Sequence, residues 1–67
     1  MVGRGRADLL VIVTAQIARC EELCAMQRAL IARHRASGLV TEGLEAILVE
    51  FELTLTRMRL REARLQA

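Results

Sequence analysis

The stretch Arg33-His34-Arg35-Ala36-Ser37-Gly38-Leu39-Val40-Thr41-Glu42 decides the fold. Gly38 stops a helix, because the left-handed conformation that ends one is cheapest for glycine. Leu39 follows as the apolar contact usual after such a stop. Thr41 is the natural cap of a second helix, with Glu42 and Glu45 in its first turn, where the helix dipole favours anions. On either side lie apolar-periodic segments, from about Leu9 to Ala36 and from about Glu42 to Gln66. A connection this short, residues 37–41, makes two helices antiparallel neighbours. The predicted fold is all-α: an antiparallel two-helix hairpin with coiled-coil-like seams.

Composition agrees. The chain has 67 residues, 54% of them hydrophobic, with no Pro, Trp or Tyr and a single aromatic, Phe51. Ala, Leu, Arg and Glu dominate, and these favour helix over strand. A chain this short forms a marginal core unless it is stapled, metal-bound or oligomeric. Upstream of the first helix, Gly3 and Gly5 make residues 1–8 a flexible basic arm, with Asp8 placed to cap the helix.

Two rows of apolar residues run along each helix. On the first, Val13, Ile17, Cys20, Cys24, Gln27 and Ile31 recur at alternating four- and three-residue steps, a seam with one polar interruption. Beside it lie Ile12, Leu23, Met26 and Leu30. The second helix has a seam of Leu44, Ile47, Leu48, Phe51, Leu55, Met58 and Leu65. A further row, Val49, Leu53 and Leu60, lies on its far side. One partner helix covers one seam, so the second rows predict a further partner: a homodimeric four-helix bundle, with Ile12, Leu23, Met26, Leu30, Val49, Leu53 and Leu60 as interface candidates. The plainer reading of Leu53 and Leu60 is scattered surface leucine. Folding the chain about Leu39 pairs Arg28 with Glu50, Arg33 with Glu45 and Glu21 with Arg57.

The chemistry-bearing residues are few. Cys20 and Cys24 are one turn apart, which suits a shared metal better than an internal disulfide, since Cβ atoms at this spacing diverge. Zinc wants four ligands, and the other soft ligand, His34, is three turns away. Two small apolar side chains in a seam is therefore the favoured reading, ahead of a disulfide across a dimer; no cofactor or metal set is predicted. His34, between Arg33 and Arg35, suits the negative end of the first helix. No nucleophile is paired by spacing with a base, so no enzymatic activity is expected.

All ten cationic side chains are Arg, which reads more simply as codon bias in a GC-rich genome than as selection for Arg chemistry, and the net charge is only +2. Arg57, Arg61 and Arg64 share a face of the second helix and, gathered with Arg4 and Arg6 at one end of the hairpin, form the alternative site, a phosphate-binding patch on a nucleic-acid-associated accessory protein. No base-stacking aromatic accompanies them, and Asp8, Glu21, Glu22 and Glu62 dilute the patch, so a solvated or dipole-neutralising role is favoured. The apolar run Leu9–Val13 after Arg6 is too short for a signal sequence, and nothing approaches the roughly 20 apolar residues that span a bilayer. Membrane association is disfavoured and a cytoplasmic location is expected.

Gln27-Arg28, Leu30-Ile31, Gly38, Thr41, Ile47-Leu48 and Phe51-Glu52-x-Thr54-Leu55, followed by Met58 and Arg61, resemble a recurring pattern of small uncharacterised helical-hairpin proteins from GC-rich alphaproteobacteria. The resemblance covers roughly residues 16–65. It departs from the pattern in Leu9–Val13 and in the two cysteines. It implies a bacterial hairpin and no chemistry. The expected role is thus a structural or protein-interaction module working through helix–helix self-association, with another helical protein as a further candidate partner.

Overall fold

A computed structural model of the chain describes residues 5–67. It contains two helices, α1 (Arg6–Ala36) and α2 (Glu42–Gln66), packed along each other as an antiparallel hairpin. Among the described residues there is no strand.

Helix α1 starts earlier than the sequence reading placed it. Gly5 occupies the N-cap position with an extended backbone, and Asp8 is inside the first turn. Asp8 therefore meets the positive end of the helix dipole as a charge, and the predicted capping role is corrected. Residues 6–8 of the expected arm are helical; residues 1–4 of that arm lie outside the described residues.

The turn is built by backbone hydrogen bonds. Gly38 has φ +74°, its N–H donates to the Arg35 carbonyl at 3.0 Å, and the Leu39 N–H donates to the His34 carbonyl at 2.9 Å. This pair of reversed bonds satisfies carbonyls that the helix end leaves open, and it needs one left-handed residue at Gly38. Leu39 does not fold back as an apolar contact: it is 56% exposed, and Val40 is 83% exposed.

Thr41 does stand at the N-cap of α2, but its hydroxyl takes a different partner from the one expected. It donates to the Glu45 carboxylate at 2.7 Å and makes no side-chain bond to the helix backbone. The other oxygen of Glu45 accepts from Arg35 at 2.9 Å. One carboxylate thus ties the last turn of α1 to the first turn of α2, over a buried threonine.

Val13, Ile17, Cys20, Cys24 and Leu55 form the buried core, with Leu48, Phe51, Met58 and Leu65 packed against it in part. Ile31 is buried nearer the turn. These are the seam residues of α1 as read from the sequence, and Gln27, its polar interruption, spans the helices by donating to the Leu44 carbonyl at 2.9 Å. No buried side-chain nitrogen or oxygen lacks a partner among the described residues. On α2 one seam assignment is corrected: Ile47 is 46% exposed, because on a wheel of about 3.6 residues per turn it stands roughly 80° from Leu55.

The charge register also differs from the predicted one. Arg28 pairs with Glu52 at 3.1 Å, Arg35 with Glu45 at 2.9 Å and Glu21 with Arg59 at 2.7 Å. Folding about Leu39 had matched Arg28 to Glu50, Arg33 to Glu45 and Glu21 to Arg57. Each actual pair is displaced by two residues, because these side chains approach across one flank of the hairpin and not in the plane of the two helix axes.

Candidate functional site: an apolar groove opposite an ion-paired flank

The three interhelical ion pairs lie on the same flank. Taking Cys24 and Leu55 as the inward directions, Glu21, Arg28 and Arg35 of α1 and Glu45, Glu52 and Arg59 of α2 all fall on one side of the interhelical plane on a helical wheel of about 100° per residue. Thr14 joins them, donating to Glu62 at 3.0 Å. Arg28, Arg35 and Glu45, with Ile31, Ala32 and Leu48, line a dent of about 300 Å³ there.

The other flank is different in kind. Val11, Ile12, Ala15, Gln16, Arg19, Cys20 and Leu23 of α1 face Phe51, Thr54 and Met58 of α2 across an open, apolar groove of about 680 Å³. A second hollow of about 420 Å³ is lined by Leu23, Met26, Leu30, Arg33 and again Phe51, so the two run on from one another along the hairpin. No interhelical ion pair crosses this flank among the described residues. Its apolar side chains are held partly open to solvent: Ile12 is 38% and Met26 63% exposed, while Leu23, Leu30, Phe51 and Met58 are half-buried.

The sequence-derived interface residues therefore separate. Ile12, Leu23, Met26 and Leu30 all line this groove. Val49, Leu53 and Leu60 do not: they are exposed on the back of α2, roughly 120–160° from Leu55 on the wheel. One flat partner cannot cover both sets. The α2 half of the groove consists instead of Phe51, Thr54 and Met58, with Ile47 and Leu65 in line. The signal was present in the sequence, since Ile47, Phe51, Thr54, Met58, Arg61 and Leu65 recur at alternating four- and three-residue steps. It was hidden because Phe51 and Met58 also fit the inner seam.

Cys20 and Cys24 are free thiols, both buried. Cys24 is 1% exposed and sits in the core, while Cys20 borders the groove and donates to the Phe51 carbonyl at 3.5 Å. Burial, and then the neighbouring Cys24, push the Cys20 thiol above its ordinary pKa. A raised pKa keeps it protonated and a poor nucleophile. No three His, Cys, Asp or Glu side chains gather as a metal-binding group among the described residues. His34 is half-buried and its Nδ1 donates to the Leu30 carbonyl at 3.0 Å, which fixes the proton on that nitrogen because a carbonyl only accepts.

Arg57, Arg61 and Arg64 of the alternative phosphate site all lie on α2. They are exposed, whereas Arg59 is held by Glu21 and Arg6 donates to the Ala67 carbonyl at 3.1 Å. Arg4 lies outside the described residues. No helix among the described residues is long and apolar enough to cross a membrane. No family model matches the chain, and neither do curated proteins or solved structures.

Proposed function

We propose that this hairpin is a structural, protein-interaction module that works by associating with a second copy of itself through the apolar groove. The observation that supports this reading is the division of the hairpin into two flanks. One is closed by three interhelical ion pairs; the other presents Ile12, Leu23, Leu30, Phe51 and Met58 with no charged pair crossing it. A soluble protein rarely leaves a contiguous apolar patch of this size uncovered. The extent suits a protein partner. The groove and the hollow that continues it run from Val11 to Arg33, about 33 Å along α1, a length that a second helical hairpin can follow. Covering it with a second hairpin produces a four-helix bundle, in which Phe51 and Met58 become central core residues.

Sedimentation velocity across micromolar concentrations tests the reading. The chain is expected to sediment as a dimer; Leu23→Asp and Met58→Asp are expected to yield helical monomers, and Leu53→Asp on the back of α2 to leave the dimer intact. A chain that stays monomeric and helical throughout this range would end the proposal.

A further inference from the structure

The charges along the rims of the groove specify how two copies meet. On α1, Asp8, Arg19 and Arg33 share the outer rim, since they are eleven and fourteen residues apart, close to whole numbers of turns. On α2, Glu50, Arg57 and Arg61 share the other rim at steps of seven and four residues. None of these rim residues except Arg19 is in an ion pair within the chain among the described residues.

We propose that two hairpins pair groove to groove with their turns at opposite ends, α1 against α1 and α2 against α2 of the second copy, so that Asp8 faces the partner's Arg33 and Glu50 faces the partner's Arg61. This rests on the self-association reading above. Cys20 bonds the Phe51 carbonyl on one side while its neighbour Glu21 pairs with Arg59 on the other, so the level of Cys20 falls between Phe51 and Arg59, close to Leu55. A two-fold axis crossing the groove at that level reverses each helix about it. Asp8 and Arg33 stand twelve and thirteen residues from Cys20, and Glu50 and Arg61 five and six residues from Leu55, so each acid meets a base. Turning the second copy the other way, with both turns at one end, sets α1 over α2 at equal level. That brings Arg19 to the partner's Arg57, whereas the opposite-ended pairing brings Arg19 beside the partner's Arg19 and Arg57 beside the partner's Arg57, so like charges meet in both. The two arrangements differ in that only the opposite-ended one gives Asp8 and Glu50 a base. Complementary rim charges of this kind fix register and orientation. The axis also passes beside Cys20, bringing the two copies' Cys20 residues closest together of all the α1 positions that border the groove.

Glu50→Arg and Arg61→Glu test this arrangement, since both positions are exposed and neither is part of the hairpin's own ion pairs. Each variant alone is expected to dimerise at least about tenfold more weakly, because each places like charges together twice across the axis. Mixing the two variants is expected to restore dimerisation to near the original strength, since every contact between unlike chains is again acid to base. Circular dichroism of each variant checks that the helices persist. If the original chain dimerises and the mixture gains nothing over the single variants, the opposite-ended arrangement is overturned while self-association stands. If the original chain is monomeric, both are overturned.

Discussion

The Glu21 carboxylate accepts from the Arg59 guanidinium at 2.7 Å across the flank that the groove does not occupy. Both side chains are about half exposed, 51% and 55%. Water and salt screen such a pair, so it sets register more than stability. It also settles which way the apolar rows turn, because the residues left on the other flank, Ile12 and Leu23 against Phe51 and Met58, are then brought side by side.

Arg59→Ala is expected to lower stability by no more than about 1 kcal/mol, and the loss is expected to shrink further above about 0.5 M salt. Urea denaturation at two salt concentrations measures both. A loss of several kcal/mol would mean that the pair is far less hydrated than its exposure indicates.

Gly38→Ala is expected to cost about 1–2 kcal/mol, because the residue is held at φ +74°. A Cβ built there meets nothing within 4 Å, so the cost comes from the backbone conformation alone. Asn, which tolerates the left-handed region better, is expected to recover part of it. Thermal melts of the two variants give the comparison. Equal losses for Ala and Asn would point to a contact and away from backbone conformation.

Leu55→Ala removes the side chain of α2 that is most enclosed, at 7% exposure, and is expected to cost about 2–5 kcal/mol. Leu53→Ala, two residues away and 45% exposed, is expected to stay within about 0.5 kcal/mol. Chemical denaturation of the pair at one protein concentration reads the difference. Equal effects would contradict the assignment of Leu55 to the inner seam.

The Cys20 thiol, its pKa raised by burial and by Cys24, makes stability depend on alkaline pH. Below the ordinary thiol value of about 8.5 both folded and unfolded chains keep the proton, so the group contributes no slope. As pH rises past that value the unfolded chain releases its proton first, and stability falls until the folded thiol ionises as well. Denaturation at pH 7.5 and 9.5 is expected to show this fall, and Cys20→Ala to reduce it. At pH 8, maleimide is expected to label the folded chain much more slowly than the chain in urea. Fast labelling of folded Cys20 would show that its thiol is open to reagent.

The features legible in the sequence were those fixed by local rules. Gly38 supplies the left-handed residue that ends α1, Thr41 stands at the N-cap of α2, and the step pattern Val13, Ile17, Cys20, Cys24, Gln27, Ile31 defines an inner face without knowledge of the partner. The all-helical fold and the packing of the two helices on each other follow from these. The charge partners were less legible, because side-chain reach across a flank offsets an ion pair from the level of its backbone, so Arg28 finds Glu52 and not Glu50.

Only the tertiary structure decided which apolar rows stand together. A helical wheel gives the direction of each side chain around its own axis, but not which side of the hairpin that direction becomes when a second helix is laid beside it. Ile12, Leu23, Met26 and Leu30 could be named as a row from sequence. That Phe51, Thr54 and Met58 face them, and that Val49, Leu53 and Leu60 turn to the back, follows from the handed rotation of two packed helices. The sequence alone determined a hairpin with more apolar surface than one partner covers. The packing put part of that surface in one groove, because the ion pairs Glu21–Arg59, Arg28–Glu52 and Arg35–Glu45 occupy the opposite flank.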